Sequence, residues 1–144
     1  MTQIIRKRRL HAMSPDEMAR KACKVMNNRK MGALPVIDED GKLLGMISER
    51  DIVRRCIGER RRTATTPISE VMTENPVFAD PDDSVMVAMA KMMQNHIRHL
   101  PVVEDGRVVG CVSIRELIHE LSYMAMKNLG IVDASLQRLE PEPA

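Results

Sequence analysis

A serine and an aspartate three residues apart, Ser48 and Asp51, follow a short apolar run and precede a helical pattern. This spacing places a hydroxyl and a carboxylate at a helix N-terminus, where unpaired backbone N–H groups and the helix dipole favour polar, anionic ligands. The same two residue types also form an N-capping box, which stabilises a helix by about 0.5–2 kcal/mol without binding any ligand. Both interpretations remain open from the pattern alone.

The same spacing occurs a second time, at Ser113 and Glu116, again between an apolar run and a helical pattern. Glutamate at this position is, if anything, the better partner for a capping box. The second pair therefore favours the structural interpretation more strongly than the first pair does.

Patterns typical of catalysis or of metal binding do not stand out in the sequence. His96 and His99 are three residues apart, but they fall across a predicted helix end and strand start, and no carboxylate or cysteine follows at a matching spacing. We find no nucleophile beside a base, no glycine-rich phosphate loop and no paired carboxylates. The sequence therefore predicts a protein that is not an enzyme and has no metal site.

The two serine-acid pairs belong to a sequence repeat. Leu-Pro-Val at 34–36 returns at 100–102, 66 residues further along, and the offset falls to 65 after a turn that is one residue shorter in the second copy. A unit of about 65 residues seldom gains more than roughly 3–5 kcal/mol from a core of its own. We therefore expect the two copies to pack together as the halves of one globule.

Each copy contains the pattern of a helix, a β-hairpin and a second helix, and an Asp-Gly pair favours the turn of each hairpin. The predicted elements are, in the first copy, a helix from the Ser14 cap to about Asn28, strands at 34–38 and 43–48, and a helix from Ser48 to about Cys56; and, in the second copy, a helix from Asp80, strands at 100–104 and 108–112, and a helix from Ser113 to about Gly130. A polar, basic linker at 58–66 separates the copies, and the tail from Glu140 is expected to fray.

The composition is typical of a soluble, folded protein, with 44% hydrophobic and 29% charged residues. The net charge of +2 gives no strong attraction to nucleic acid or membranes. The basic N-terminus lacks the apolar core of a signal peptide, and no segment has the roughly 18 apolar residues of a membrane span, so we expect a cytoplasmic protein. Three widely spaced cysteines favour reduced thiols over a disulfide or zinc framework: Cys23, Cys56 and Cys111.

Two basic runs, at 6–9 and 60–62, could contact the phosphates of a nucleic acid. They lack the interleaved aromatic side chains on which single-stranded bases stack. A solvated charge run is the default interpretation, and weak nucleic-acid binding remains an alternative.

Taken together, these motifs resemble a known family. Ala-x-x-x-Met at 22–26, Leu-Pro-Val at 34–36 and a Gly-x-x-Ser-x-x-Asp segment at 45–51 look like the cystathionine-beta-synthase (CBS) domain, and two copies resemble a CBS pair, or Bateman module. The segments 67–73 and 98–114 are similar to stand-alone bacterial pairs. The resemblance implies an α+β, sandwich-like fold of two pseudo-symmetric β-α-β-β-α repeats. We place the repeats at 8–57 and 74–128, a linker at 58–73, and a C-terminal helix and tail at 129–144.

The resemblance implies a regulatory module that binds an adenosyl ligand in a cleft between the copies: AMP above all, with ADP, ATP, NAD or S-adenosylmethionine as alternatives. Ser48 and Asp51 would then hold the ribose, since a carboxylate can accept hydrogen bonds from both ribose hydroxyls. The start of the preceding strand would offer backbone groups and apolar surface to the adenine, through Ala33, Leu34 and Pro35. No cofactor is implied.

The family also implies that basic residues before the proline of one copy meet the phosphates of a ligand held by the other copy. Here these residues are Arg98 and His99, and Arg50 is a third candidate. Glu116 departs from the aspartate that binds ribose in the family. We therefore expect one good site at Ser48 and Asp51, with Ser113 and Glu116 as a doubtful second site.

The resemblance further implies a homodimer that acts in trans on a protein the sequence does not identify. The apolar residues of the predicted helices are too many for one small core, which supports dimerisation; they include Met86, Met89, Met93, Leu121 and Met124. A dimerisation module without any small-molecule ligand is the alternative. We expect no membrane partner.

Overall fold

The computed structural model of the 144-residue chain describes residues 4–5 and 8–130. The elements, which we number in chain order, are helix α1 (Ala19–Arg29), strands β1 (Ala33–Ile37) and β2 (Leu43–Ser48), helix α2 (Glu49–Asp51), which continues as a π-helix (Ile52–Ile57), a 3₁₀ turn (Ile68–Glu70), strand β3 (Thr73–Glu74), helix α3 (Val85–Gln94), strands β4 (His99–Glu104) and β5 (Arg107–Ser113), and helix α4 (Ile114–Asn128). The chain is thus a mixture of helices and small sheets, as the sequence predicts.

Both predicted hairpins are present, and their registers match. Pro35 lies opposite Met46 in the first antiparallel pair, and Pro101 lies opposite Cys111 in the second. Each hairpin turns through a glycine with a left-handed backbone, Gly41 at φ 83° and Gly106 at φ 78°. This conformation favours glycine, so the Asp-Gly signal in the sequence has a structural cause.

A single residue before each helical segment adds a parallel bridge to the hairpin. Met13 bridges Val36, and Ala79 bridges Val102; both residues of the second bridge lie 66 positions after those of the first. Each bridging residue donates one backbone hydrogen bond and accepts another, and all four N···O distances are 2.9 Å. The first strand of the predicted β-α-β-β-α repeat is therefore reduced to one paired residue in each copy.

The two copies interlock through the segments that precede them. Strand β3 of the linker pairs with β2 of the first copy, where Thr73 lies opposite Met46. The first core also includes Ile68 and Val71, both fully buried, while Ile4 and Ile5 pack against the second core. Neither core is complete without a segment from outside its own hairpin and helices, as expected for two halves of one globule.

The first helix of each copy begins later than the sequence predicts. In the first copy Ser14 belongs to a turn, in which its N–H donates to Glu17 Oε1 at 2.9 Å, and α1 begins only at Ala19. The N–H groups of Ala19 and Arg20 donate to linker carbonyls, those of Thr66 and Thr63, at 2.8 and 2.9 Å. The linker therefore satisfies the helix end, and no side-chain cap is used.

In the second copy, Asp80 and Asp83 likewise form a turn, closed by a 3.0 Å hydrogen bond from the Asp80 N–H. Helix α3 begins after Ser84, whose hydroxyl oxygen accepts from the Val87 N–H at 3.1 Å. Of the C-terminal helix and tail predicted at 129–144, residues 131–144 lie outside the described residues. Within residues 4–5 and 8–130, none of the helices has the length and hydrophobicity to cross a membrane.

Candidate ligand-binding cleft

A cavity of about 480 Å³ lies where the first hairpin, the start of α2 and the beginning of the second copy meet. The first copy contributes Gly32, Ala33 and the residues around the α2 N-terminus. The second copy contributes the turn between α3 and β4, including Arg98 and His99. A volume of this size is typical of small-molecule sites, which span roughly 300–1,000 Å³.

The Asp51 carboxylate lies at the end of the cleft formed by the first copy and is 6% exposed. Its Oδ2 atom accepts hydrogen bonds from the Ser48 N–H and hydroxyl, at 3.0 and 2.9 Å, and the Asp51 N–H donates back to Ser48 Oγ at 3.2 Å. This is a complete capping box. The structural interpretation of the pair is therefore correct, and the remaining question is whether the carboxylate can also bind a ligand.

The Oδ1 atom of Asp51 keeps that capacity. It accepts one hydrogen bond, from the Thr73 hydroxyl at 3.1 Å, and Arg55 Nε lies 3.8 Å away. A carboxylate offers about four lone-pair sites, so Oδ1 can accept a further donor on the cleft side. Capping and ligand binding are compatible at this residue.

Thr73 is a cleft residue that the sequence reasoning did not identify. It lines the cavity and contacts Asp51 from strand β3, which belongs to the linker. The motif at 67–73 was the available signal, but only the pairing of β3 with β2 brings this hydroxyl to the carboxylate.

Arg98 and His99 face the cleft from the second copy. Arg98 is exposed and forms no ion pair with any other described residue. The imidazole of His99 packs closely on Gly32, where a Cβ atom would lie only 2.9 Å from His99 Cε1. Glycine at position 32 therefore makes room for the imidazole.

The pKa of His99 lies below its ordinary value of 6.5, chiefly because the ring is buried. The positive charge of Arg98 lowers the pKa further, while Glu116 and Glu49 act in the opposite direction. The ring is consequently neutral near pH 7, and Arg98 provides the permanent positive charge at this end of the cleft.

Six of the predicted ligand-binding residues line this one cavity: Ala33, Ser48, Arg50, Asp51, Arg98 and His99. Leu34 and Pro35 do not line it. Leu34 is fully buried in the first core, and the Pro35 carbonyl accepts from the Met13 N–H at 2.9 Å. Of the three residues predicted to contact the adenine, only Ala33 lines the cleft.

Ser113 and Glu116 also form a complete capping box. Their surroundings differ from those of Ser48 and Asp51, because Glu116 Oε1 accepts a hydrogen bond from Arg8 Nη1 and neither residue lines this cleft. A second cavity of about 550 Å³ lies nearby, between the N-terminal segment, the end of α1 and β5.

Other candidate sites have structural explanations. Among the described residues, no group of three or more metal-binding side chains is close enough to hold an ion. In the basic run at 60–62, Arg61 pairs with Glu70 of the linker. All three cysteines are free, and burial raises the pKa of the Cys111 thiol to about 12.

The structure defines a class of protein, the tandem repeat whose two copies enclose a cleft between them. Comparison with protein families is consistent with this class: the profile of the CBS domain matches residues 3–58 and 68–123. The chain belongs to the CBS-domain family, and its two copies form a CBS pair.

Several relatives share this organisation. The CBS domain-containing protein YhcV of Bacillus subtilis is 37% identical over 105 residues, which cover 73% of this chain and 74% of that protein. The CBS domain-containing protein CBSCBSPB5 of Arabidopsis thaliana is 38% identical over 99 residues, but the chain spans only 18% of its length.

Solved structures show the same fold. A protein with CBS domains from Burkholderia ambifaria matches with a TM-score of 0.76 at 25% identity, covering 95% of this chain and 98% of that one. The CBS domain pair of protein MJ0100, solved in complex with 5'-methylthioadenosine and S-adenosyl-L-methionine, matches with a TM-score of 0.70 at 29% identity, covering 85% of this chain and 96% of that one.

Proposed function

We propose that this chain is a non-catalytic, cytoplasmic regulatory module that binds an adenosyl nucleotide, AMP in the first instance, and signals to a partner protein in trans. The observation that carries the proposal is the composition of the 480 Å³ cleft. One copy supplies a buried carboxylate with spare acceptor capacity, Asp51, and the other copy supplies a guanidinium, Arg98, that forms no ion pair with the described residues.

The two ends of the cleft suit the two ends of a nucleotide. Ribose hydroxyls can donate to Asp51 Oδ1, and the planar fork of Arg98 suits a phosphate, with Arg50 of the first copy as a further cation in the cleft lining. Ala33 and Met46 add apolar surface to the lining, as a base requires. The adenosyl ligands in the related MJ0100 pair support this choice of ligand class.

Thermal-shift and calorimetric titrations with AMP, ATP, NAD and S-adenosylmethionine test the proposal. A ligand at a hundred times its Kd should add about 2.7 kcal/mol to the free energy of unfolding. We expect this response to be lost in Asp51→Asn, which keeps the shape of the side chain. It should be retained in Glu116→Gln, which makes the same change in the other capping box.

Two outcomes would refute the adenosyl site. One is that no adenosyl ligand stabilises the wild-type protein, which would favour a dimerisation module without a ligand. The other is an AMP response that is the same in Asp51→Asn and in the wild type.

We also propose that the chain forms a homodimer through its helices. Helices α3 and α4 expose large apolar side chains, with exposed fractions of 62% for Met86, 66% for Met93, 49% for Ile118 and 47% for Met124. Apolar surface of this extent on a small monomer is typical of an interaction site. A second copy would cover both helices.

A further inference from the structure

The second cleft has the same construction as the first but different chemistry at both ends. Gly45 of β2 and Gly110 of β5 are matching positions of the repeat. The linker covers Gly45, and the N-terminal segment covers Gly110. A Cβ atom at Gly45 would lie 2.7 Å from Met72 Sδ, and one at Gly110 would lie 2.7 Å from Ile5 Cγ2. The N-terminal segment therefore occupies, on the second copy, the place that the linker occupies on the first.

The two covering segments also bring a partner to each matching carboxylate: Thr73 of the linker contacts Asp51, and Arg8 of the N-terminal segment contacts Glu116. The carboxylates of Asp51 and Glu116 therefore have different partners. Asp51 Oδ1 accepts a hydrogen bond from the Thr73 hydroxyl and has Arg55 Nε only at 3.8 Å, whereas Glu116 is hydrogen-bonded to the Arg8 guanidinium and is 5% exposed. The carboxylate that corresponds to Asp51 is therefore paired with the chain's own arginine and does not line the second cleft.

The charged side chains of the second cleft are all basic and lie beside apolar ones such as Leu10 and Met31. Arg9, Arg29 and Lys30 line it together with His11, and among the described residues no aspartate or glutamate does. Burial lowers the pKa of His11, and Arg29 and Arg9 lower it further, so these side chains lie close enough to interact and the arginines and the lysine carry the permanent charge. Arg9, Arg29 and Lys30 are exposed and form no ion pair with the described residues. Unneutralised positive charge converging on a concave surface favours a polyanion.

We propose that the second cleft binds a phosphate-rich anion without a nucleoside, of the inorganic pyrophosphate or tripolyphosphate class. This goes beyond the adenosyl site, because it concerns a different cavity and a ligand without a ribose. The same phosphate chemistry is also present in the phosphate chain of a nucleotide, so the test must separate a free polyphosphate from a nucleoside-bound one.

The competing explanation for Arg29 and Lys30 is structural. Both lie at the C-terminal end of α1, where positive side chains favourably oppose the helix dipole. Removing them would then change the stability of the protein but not the affinity for an anion. A binding measurement on folded protein distinguishes the two explanations.

The experiment is isothermal titration calorimetry with inorganic pyrophosphate, tripolyphosphate, ATP and adenosine. The test variant is Arg29→Gln with Lys30→Asn, since Lys30 has a left-handed backbone (φ 52°) that asparagine tolerates. The matched control is Arg20→Gln with Lys24→Gln, which removes the same charge from exposed positions of the same helix outside the cleft. Arg98→Ala reports on the first cleft.

We expect tripolyphosphate to bind the wild-type protein and to lose at least tenfold in affinity in the test variant, with the control variant and Arg98→Ala unchanged. Adenosine should bind once per chain and should not compete with tripolyphosphate. Absence of polyphosphate binding would overturn the proposal, as would equal losses in the test and control variants or a loss caused by Arg98→Ala. Displacement of tripolyphosphate by adenosine would also overturn it. So would a second cleft that binds ATP far more tightly than it binds tripolyphosphate. Failure of the adenosyl site would instead appear as absent adenosine binding.

Discussion

At the scale of single residues, the difference between the two clefts comes down to the partner of one carboxylate. Asp51 and Glu116 occupy matching capping positions, and each accepts a hydrogen bond from the backbone N–H of its serine. A threonine hydroxyl donates a hydrogen bond to the first carboxylate, with Arg55 Nε 3.8 Å away, and an arginine donates a hydrogen bond to the second. An ionic partner uses the acceptor capacity more completely than a neutral one, so a similar helix cap has different ligand chemistry in each copy.

His99 gives a pH-dependent stability that can be measured. Its pKa in the folded protein lies below 6.5, so the unfolded chain binds the proton more tightly. We expect this contribution to be fully present above pH 6.5 and to be lost as the pH falls below that value toward the lower pKa of the folded protein. Urea denaturation from about pH 7.5 to about pH 5.5 measures the effect.

His99→Gln should flatten this part of the pH profile. His96→Asn is the control, because His96 is an exposed neighbour with a left-handed backbone at φ 53° that asparagine tolerates. A profile that stays equally steep in His99→Gln would contradict the assignment.

At the scale of elements, both capping boxes should contribute to stability, while only the first should contribute to ligand binding. Replacing either cap serine by alanine removes the acceptor of one helix N–H and should cost about 0.5–2 kcal/mol of unfolding free energy. We expect this loss for Ser48→Ala and for Ser113→Ala. Only Ser48→Ala should also weaken AMP binding, because only its partner Asp51 lines the nucleotide cleft.

Chemical denaturation together with calorimetry measures both quantities in each variant. Equal losses of AMP affinity in the two variants would mean that the effect comes from general destabilisation. Unchanged stability in both would contradict the capping role that the hydrogen bonds indicate.

The elements themselves were largely predictable from local sequence. Apolar runs around an Asp-Gly turn predict the ends of the four hairpin strands to within one residue, because alternation and turn chemistry are local properties, whereas strand β3 was not predicted. The start of α1 was not predictable in this way. Ser14, Pro15 and Glu17 have the composition of a helix cap, but carbonyls from 63 and 66 in the linker satisfy the helix end instead. A contact between segments so far apart leaves no local signal.

The same reasoning applies to the site. Six of the residues that the resemblance to the CBS family predicted line one cleft, because they lie on elements that the repeat positions. The contacts of Thr73 and Arg8 with the two carboxylates were not predicted, since each residue comes from a segment outside the copy that contains the carboxylate. The role of Leu34 and Pro35 toward adenine stays a prediction that the cavity lining does not support.

At the scale of the whole molecule, duplication produces two cores that share one topology but differ in surface chemistry. The exposed apolar side chains of α3 and α4 remain to be covered. If a second copy covers them, Met93→Lys should introduce a charge into the interface and shift the protein toward a monomer. Light scattering over a range of concentrations measures this, with Phe78→Lys as a control at a loop position of 52% exposure. A wild-type monomer at high concentration would contradict the homodimer.

The central claim is that one cleft holds a nucleotide between the two copies, with the ribose on Asp51 and the phosphate on Arg98. Calorimetric comparison of AMP with adenosine tests it most directly. A hydrogen bond to a charged group contributes about 1.5–3 kcal/mol, and about 1.4 kcal/mol corresponds to a tenfold change in Kd. We therefore expect Arg98→Ala to weaken AMP binding about tenfold or more while leaving adenosine unchanged, and Asp51→Asn to weaken both ligands. Equal weakening of AMP and adenosine by Arg98→Ala, or an adenosine affinity that Asp51→Asn leaves intact, would contradict the account.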